Sequence, residues 1–452
     1  MKVLVVGGGS GGHITPAMSV IRELLLKYPN TQVEFWTDRK YYKNILNLAN
    51  ELAVGWGEED ERSRKNKQYI RVRKVFSGKF RRYHGLKLKD YFDQGARTFF
   101  DANFSTYKAK EHRAITGLSM GGFGAFYIGI KNQDVFGNIG SVVGFSMGCV
   151  QSFCRLISKK RRPDVVFLKG GFVGLPVGLV AGFLKIPYVL HESDAVFGLT
   201  NRILMKKAVK IATGVPVELD KYSEDIAEKI EWVGIPVAPE FAPVSDTIKN
   251  NLKRELGFNS RKKLVIVTGG SQGSEHLNLA ISQILEKLLW KASVGLVAGR
   301  KYYDDMLELK EFEKWNKAKL DSDFRMWNFS PKMSEILGAA DLVVSRAGAT
   351  TITELAALEK SVILVPFEKL PGGHQTKNAE RLHASGAVEM ILDGKMMEKP
   401  ELLLNKIINL LEDDEKRGML AKKLHELSKS DASRRMMEII VEAKNKKRVE
   451  KI

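Results

Sequence analysis

Residues 2–13, KVLVVGGGSGGH, and residues 263–273, KLVIVTGGSQG, decide the fold of this chain of 452 residues. Each stretch is a short apolar strand followed by a glycine-rich turn that opens a helix. A strand, turn and helix unit that occurs once in each half predicts two similar α/β domains that face one cleft. A helix N-terminus without side chains offers free N–H groups and the positive end of a helix dipole. The two turns therefore predict a cleft that holds a phosphorylated ligand.

The composition is that of a large soluble protein, with 44% apolar and 28% charged residues. It predicts two to three folded domains and excludes disorder of the whole chain. Cys149 and Cys154 match no zinc or redox spacing and are too few for a disulfide framework, so we expect a reducing compartment. The first residues lack the apolar core of an export signal. The apolar run at 170–190 is broken by Pro176 and Pro187, which predicts a buried helix and a buried strand instead of a membrane span.

The net charge of +19 is partly local, because residues 62–89 contain twelve Lys or Arg and no Asp or Glu. Aromatic and apolar residues alternate with these cations. Such a mixture attracts anionic lipid headgroups or nucleic-acid phosphates, although it also fits a solvated basic face. No nucleic-acid-binding module accompanies the segment. We therefore expect an anionic membrane surface, and no nucleic acid, as a partner.

Short β-branched runs alternate with amphipathic helices along both halves, which predicts parallel, doubly wound sheets. Prolines and polar residues cluster between residues 214 and 260 and mark a hinge between the halves. The predicted organisation is an N-terminal domain at 1–213, a C-terminal domain at 214–430 and a charged helix at 431–452. The apolar residues of that last helix, Met436, Met437, Ile439 and Ile440, are expected to pack back on the body.

One segment, at about 94–148, departs from this alternation. Its GLSMG, residues 117–121, fits the G-x-S-x-G nucleophile elbow and resembles the elbow region of the esterase D type of hydrolase, with Ser119 as nucleophile. That fold needs an acid and then a histidine after the serine. Several of the later histidines lie in motifs with another explanation. We expect an inserted segment that packs as an extra helix pair, and a serine esterase stays an alternative.

The first glycine turn also satisfies G-x-G-x-x-G through Gly7, Gly9 and Gly12, with Asp38 as a possible ribose partner. An NAD(P)-binding oxidoreductase is therefore a second alternative. It does not explain His13, which directly follows the turn at the helix start. A histidine there lies near any bound anion and titrates near neutrality.

The second half adds SRAGATTITE, residues 345–354, where small residues again precede a helix and a carboxylate follows one turn later. Glu354 can accept hydrogen bonds from the two hydroxyls of a ribose while the adjacent N–H groups meet a diphosphate. The polar side chains of His374, Gln375 and Asn378 can bind a sugar. Each feature alone also reads as helix capping. Their combination after a GGSQG turn favours a nucleotide sugar.

These motifs together resemble the MurG family of GT-B glycosyltransferases, which transfer N-acetylglucosamine from UDP-GlcNAc to lipid I, an undecaprenyl-diphospho-muramoyl peptide. The resemblance rests on four motifs in the same order and covers about residues 1–50, 68–93 and 150–430. The motifs are GGGSGGHITPA (7–17), KGGFVGLPVGLVAGFLKIPYVLHESDAVFGLTN (169–201), TGGSQGSEHLN (268–278) and SRAGATTITELAALEKSVILVPF (345–367) followed by HQTKNA (374–379).

The resemblance implies a fold of two Rossmann-like, doubly wound domains that face a central cleft. It makes His13 the candidate general base and places the protein at the cytoplasmic face of the cell membrane as a peripheral enzyme. It implies UDP-GlcNAc and lipid I as substrates, with no metal or other cofactor. The polar D-x-D at 321–323 is not expected to bind a metal. Ala238 stands where the family often has an arginine near the donor.

The same resemblance assigns the substrate contacts. It assigns Ser10, Gly11 and Gly12 to the donor and acceptor diphosphates, and Asp194 to the neighbourhood of the acceptor. It assigns Ser271, Gln272 and Gly273 to the donor diphosphate. The nucleotide is contacted by Ala349, Thr350, Thr351, Ile352, Thr353 and Glu354, the uracil by the backbone of Ser330, and the GlcNAc hydroxyls by Gln375.

Overall fold

The structure, a computed structural model, covers the chain in ten ranges. Three of the predicted site residues, Ser10, Ser271 and Gln272, lie outside them, as do Ser119 and most of the basic segment 62–89. The described residues are 1–8, 11–38, 41–54, 70–74, 139–158, 162–194, 196–270, 273–308, 323–368 and 373–449.

The first sheet has seven strands within the described residues, in the order β3-β2-β1-β4-β5-β6-β7, and every pair is parallel. The last strand extends this sheet beyond residue 213, where the proline cluster put the end of the domain. That strand has three partly exposed residues, so it carries no apolar run for sequence analysis to detect. The strands are β1 Lys2–Val6, β2 Gln32–Thr37, β3 Ile70–Lys74, β4 Val165–Leu168, β5 Tyr188–Glu192, β6 Lys210–Thr213 and β7 Ile230–Trp232.

The second sheet repeats the plan with six described strands in the order β10-β9-β8-β11-β12-β13, again all parallel. Both orders follow the 3-2-1-4-5-6 pattern of doubly wound folds, which confirms the fold class expected from the sequence. The strands are β8 Leu264–Thr268, β9 Ser293–Val297, β10 Phe324–Trp327, β11 Leu342–Ser345, β12 Val362–Leu364 and β13 Glu389–Met390.

Helices cover both faces of each sheet, and the central strands are therefore buried along their whole length. The apolar run at 170–190 forms one buried helix and β5, as its proline breaks predict. Within the described residues, no helix has the length and apolar content needed to cross a bilayer. The described helices are α1 Gly11–Lys27, α2 Tyr42–Val54, α3 Ile139–Leu156, α4 Gly174–Phe183, α5 Leu199–Leu204, α6 Glu224–Ala227, α7 Asp246–Glu255, α8 Glu275–Leu289, α9 Tyr303–Leu307, α10 Met333–Gly338, α11 Ala349–Ala357, α12 His374–Ala384, α13 Asp393–Glu398, α14 Glu401–Glu412, α15 Asp414–Glu426 and α16 Ala432–Val449.

The C-terminal helix α16 returns to the first domain. Met436 and Ile440 are fully buried in the core formed by β1, β4 and α1, as their spacing predicts. Arg435 forms an ion pair with Glu231 of β7 at 2.5 Å. The chain therefore crosses between the domains twice, once after β7 and once before α16.

Candidate active site

The crevice at the carboxyl ends of the strands is the natural ligand site of a doubly wound sheet, at the point where the strand order reverses. In the first sheet this point lies between β1 and β4, and in the second between β8 and β11. All four strands end in glycine-containing turns. Most of the predicted site residues that the structure describes lie in the turns and helix starts that follow these strands.

His13, in the first turn of α1, lies at the first switch point. Its Nδ1 lies 2.8 Å from the carbonyl oxygen of Gly8. Because a carbonyl can only accept, Nδ1 carries the proton and the neutral ring keeps a free lone pair on Nε2. The pKa of His13 is lowered, first by burial and then by the nearby charge of Lys169. His13 is therefore a neutral imidazole that can accept a proton through Nε2.

Gly171 allows the β4 turn to approach this histidine. Its φ of +74° lies in the left-handed region, and a Cβ there would stand 2.7 Å from the Gly8 carbonyl and 3.2 Å from His13 Nδ1. Any side chain at this position would force the Gly8 carbonyl to move and would crowd the ring. The two glycine turns of the first domain thus fit together around His13.

Lys169 is a fully buried cation beneath the first switch point, and sequence analysis did not identify it. Its Nζ donates to His191 Nδ1 at 2.8 Å and to the Ser193 hydroxyl. The ring of His191 donates in turn from Nε2 to the Gly234 carbonyl at 2.8 Å. Burial lowers the pKa of Lys169 to about 8 and also lowers that of His191. The sequence signal is a lysine that closes an apolar strand, since a buried lysine needs partners.

Glu192 shapes the loop that presents Asp194. One carboxylate oxygen accepts from the backbone N–H groups of Ser193 and Asp194 at 3.0 and 3.2 Å. The other accepts from Gly198 N at 2.8 Å and Asn201 Nδ2 at 2.9 Å. Because these bonds fix the loop, Asp194 is held beside the cleft, where the resemblance places the acceptor.

The second switch point is held by an ion pair that was also missed. Arg346 is buried, and it contacts Asp393 at 2.6 Å and donates to the Ser274 hydroxyl at 2.8 Å. Ser274 is also the N-cap of α8, so the pair ties the GGSQG turn to the SRAG turn. Gly273, at φ +72°, lies so close to Ala298 that a Cβ would stand 2.4 Å from its carbonyl oxygen. The two donor turns are thus fixed against each other.

Helix α11 begins at this switch point with Gly348 as its N-cap, so no side-chain acceptor comes from that residue. The helix start therefore offers N–H groups and a positive dipole end to an anion. Glu354 lies one turn into the helix and is half-buried, and burial raises the pKa of its carboxyl to about 8. The Thr353 hydroxyl donates to the Ala349 carbonyl at 3.0 Å, a hydrogen bond within the helix. Glu354 is therefore a candidate polar contact of this helix, and the Thr353 hydroxyl is already bonded.

Gln375 and Ser330 flank the same crevice. The side-chain oxygen of Gln375 accepts from Phe367 N at 3.0 Å. The NH₂ group of the same side chain is therefore the part that can donate to a sugar hydroxyl. The Ser330 hydroxyl accepts from Lys332 N at 3.1 Å and is a turn residue. Beside it, the ring of Phe329 is 46% exposed and has the Arg300 guanidinium 4.2 Å from its centre. This aromatic–cation pair is a third feature that the sequence did not indicate.

The two switch points belong to one cleft. Helices α1 and α11, which begin at them, are in contact. Asn378 of α12 donates to Asp194 Oδ1 across the domains at 3.4 Å. The helices that carry His13 and Glu354, and the loop of Asp194, therefore lie where the two domains are in contact.

The structure also locates residues that belonged to the alternatives. Asp38, the candidate ribose partner of an oxidoreductase, is buried and accepts from Tyr41 N at the start of α2. Its carboxylate thus bonds the backbone just before α2. Asp323, from the D-x-D, pairs with Lys262 at 2.8 Å and accepts from the Ser293 hydroxyl at 2.9 Å. The serine elbow around Ser119 lies outside the described residues and stays a prediction.

Comparison with known proteins assigns both domains to one family. The glycosyltransferase family 28 C-terminal domain matches residues 264–436, and the family 28 N-terminal domain matches residues 109–213, together more than half of the chain. The N-terminal match includes residues 109–148 of the segment expected to be an insert. The oxidoreductase and esterase alternatives gain no support from these matches.

Curated relatives align over almost the whole chain. A protein of Acetivibrio thermocellus is 27% identical over 97% of both chains, and one of Bacillus cytotoxicus is 29% identical over 97% of this chain and 98% of its own. Both are named UDP-N-acetylglucosamine--N-acetylmuramyl-(pentapeptide) pyrophosphoryl-undecaprenol N-acetylglucosamine transferase.

Solved structures share the two-domain fold. MurG of Acinetobacter baumannii superposes with a TM-score of 0.59 at 19% identity, over 98% of this chain and 99% of that one. The UDP-GlcNAc 2-epimerase of Neisseria meningitidis, solved with UDP-GlcNAc, gives 0.58 at 12% identity, over 98% and 100%. The domain matches, the full-length relatives and the fold agree with the four motifs of the sequence. The chain therefore belongs to the MurG family of GT-B glycosyltransferases.

Proposed function

We propose that this protein transfers N-acetylglucosamine from UDP-GlcNAc to the 4-hydroxyl of the muramoyl sugar of lipid I, with inversion at the anomeric carbon. One observation carries the proposal. A neutral imidazole with a free Nε2 lies at one switch point, a helix N-terminus with a half-buried carboxyl lies at the other, and the two helices are in contact. The first suits proton removal from a hydroxyl and the second suits a nucleoside diphosphate.

In the proposed reaction, Nε2 of His13 accepts the proton of the 4-hydroxyl while that oxygen attacks the anomeric carbon. The new carbon–oxygen bond forms as the bond to the diphosphate breaks, and UDP leaves with the electron pair. The N–H groups at the start of α11 and of the 269–273 turn stabilise the charge that develops on the leaving diphosphate, in the manner of an oxyanion hole. The products are lipid II and UDP, and His13 returns its proton to solvent.

The donor contacts of this proposal follow from the second domain. Glu354 binds the ribose hydroxyls, Gln375 donates to GlcNAc, and Phe329 stacks on the uracil next to the backbone of Ser330. Gly273, with Ser271 and Gln272, completes the diphosphate turn, and the first turns of α1 and α11 supply Gly11, Gly12, Ala349, Thr350, Thr351 and Ile352.

A transfer assay tests the function. The protein is incubated with UDP-GlcNAc and a short-chain lipid I analogue, and the products are identified by mass spectrometry and by the coupling constant of the new glycosidic bond. We expect equal amounts of UDP and of a β-linked disaccharide product. Release of free GlcNAc, or no turnover with a folded protein that binds the donor, would overturn the proposal.

We further propose that the protein binds the cytoplasmic face of the cell membrane through an apolar patch on the first domain. The patch consists of Met147, Val150, Phe153, Ile157 and Phe183, all exposed, with the rings of Phe153 and Phe183 6.2 Å apart. Contiguous exposed apolar surface of this kind marks an interaction site.

Described cations lie beside this apolar patch. Lys185 and Lys207 are exposed near Phe183, and the chain continues from Ile157 into KKRR at 159–162. Gln151 of α3 also donates to the Lys74 carbonyl at 3.4 Å, which places the described end of the basic segment at the same helix. An apolar centre with a basic rim suits an anionic lipid surface.

Co-sedimentation with vesicles tests the membrane proposal. We expect binding to phosphatidylglycerol vesicles that falls with salt and is reduced by Phe183→Ser. The matched control is Trp290→Ser, since Trp290 is an exposed aromatic residue of the other domain. Equal loss for both variants, or equal binding to neutral phosphatidylcholine vesicles, would contradict the role of the apolar patch.

A further inference from the structure

Asn378 lies where three functional segments meet. It sits one turn after Gln375 on α12, and its side chain is 7% exposed. Its amide nitrogen donates to Asp194 Oδ1 of the first domain and to the Ala347 carbonyl of the second, each at 3.4 Å. One side chain therefore contacts the acceptor loop, the donor turn and the helix that carries the sugar contact.

A primary amide has two N–H groups, so both bonds can form at once. Both partners are anchored in their own domains. Glu192 fixes the Asp194 loop through four hydrogen bonds, and Ala347 directly follows Arg346, which is held by Asp393. The distance between these two anchored segments therefore depends on the Asn378 amide.

We propose that Asn378 is a positioning residue that couples the acceptor loop to the donor site and so sets the spacing of the two substrates in the cleft. This inference rests on the proposed function. Two reactants must lie within about 3–3.5 Å in the correct orientation, and a displacement of about 1 Å can cost on the order of 10²-fold in rate. Asn378 thus acts on the turnover step, through the separation of the domains.

The main test replaces the side-chain amide of Asn378, which donates both hydrogen bonds, by a carboxylate. Asn378→Asp places a negative charge against Asp194 and the Ala347 carbonyl, and we expect kcat to fall at least about tenfold with an unchanged Kd for UDP. Small-angle X-ray scattering of the substrate-free protein should show a larger radius of gyration. The matched control, Asn405→Asp, adds the same charge at an exposed position of α14 and should change neither quantity.

The double variant Asn378→Asp/Asp194→Asn distinguishes direct contact from general damage. The new amide at position 194 can donate to the new carboxylate at position 378, which reforms the cross-domain bond with reversed polarity. We expect the double variant to be more compact and several-fold more active than Asn378→Asp alone. Strictly additive losses would overturn the inference.

Two further results keep the test decisive. If Asn378→Asp does not fold, Asp194→Ala removes the same bond without burying a charge, and it should enlarge the radius of gyration as well. An unchanged radius in that variant would contradict the inference. If the scattering changes as expected but no variant, including the wild type, transfers GlcNAc, the coupling contact stands and the proposed function fails.

Discussion

The two switch points have the same strand order and the same glycine turns, yet they differ in the charges that they bury. Beneath the first lie a buried lysine and two imidazoles, Lys169, His13 and His191, connected to backbone carbonyls. At the second, the carboxyl of Glu354 is partly buried, and the buried cation Arg346 is neutralised by Asp393. Two copies of one fold can therefore supply different chemistry, a group that accepts a proton in the first domain and an anion site in the second.

The difference follows from what ends each strand. Strand β4 is followed directly by a lysine, and β5 ends in a histidine and a glutamate, so the first crevice is lined by titratable groups. Strands β8 and β11 end in Thr268 and Ser345, which bond to their own turns and leave the helix dipoles exposed to a ligand. Four measurements on three variants test this difference.

The largest effect is expected from His13→Ala. Loss of general-base catalysis should lower kcat by roughly 10² to 10⁴-fold, while the Kd for UDP-GlcNAc, measured by calorimetry, stays unchanged. His383→Ala is the matched control, since His383 also bonds a backbone carbonyl through Nδ1 but lies at the far end of α12. A full loss of donor binding in His13→Ala would indicate that the nucleotide binds at the first switch point, which contradicts the proposal that it binds at the second.

Glu354→Gln should weaken donor binding and leave the turnover step largely unaffected. Hydrogen bonds to a charged group contribute about 1.5–3 kcal/mol, so we expect the Kd for UDP to rise by roughly 10- to 150-fold. Wild-type affinity should increase from pH 6 to pH 8, because the carboxyl with a pKa of about 8 becomes charged over this interval. Glu359→Gln, an exposed neighbour just after α11, serves as the control.

The fold and part of this contrast could be predicted from the sequence. The glycine turns at 7–12 and 269–273 each follow an apolar strand, and these local signals specify both domains and their cleft. The positions of His13 and Glu354, one turn into their helices, follow equally from local sequence. The apolar periodicity of α16 also predicts its packing.

The charge networks could not be predicted, because their partners are distant in the sequence. Nothing near Lys169 indicates that its ammonium meets His191, and nothing near Arg346 indicates Asp393. Strand β7 was missed because pairing with β6, and not an apolar pattern, makes it a strand. Partners that are distant in the sequence therefore decide which of the two similar turns lies over a buried lysine and which lies over a neutralised arginine.

Lys169→Met should shift the pH dependence of the reaction. Lys169 and His191 face His13 as groups that lower its pKa when charged, and Glu192 and Asp194 oppose them. Without the lysine charge, the pKa of His13 should rise and the acid limb of kcat/KM should move to higher pH. A shift of one pKa unit would lower the rate about tenfold on that limb. Lys169→Arg should largely retain the wild-type profile if it folds, and an unshifted limb in Lys169→Met would refute the electrostatic role.

The smallest effect concerns stability. Glu354 has a folded pKa of about 8, above its ordinary value of 4.5, so the folded state holds a proton that the unfolded state releases. Its contribution to stability is therefore fully present below about pH 4.5 and is lost as the pH rises towards 8. The Tm of Glu354→Gln relative to wild type should increase by a few degrees between pH 5 and pH 8, measured by calorimetry. A constant difference would show that the carboxyl is not desolvated.

The most direct test of the division between the two switch points is a crystal structure of the protein with UDP-GlcNAc. We predict the diphosphate at the start of α11, the ribose on Glu354, and the anomeric carbon facing His13 across the cleft. A nucleotide bound at the β1 turn beside His13, with the second switch point empty, would contradict the account.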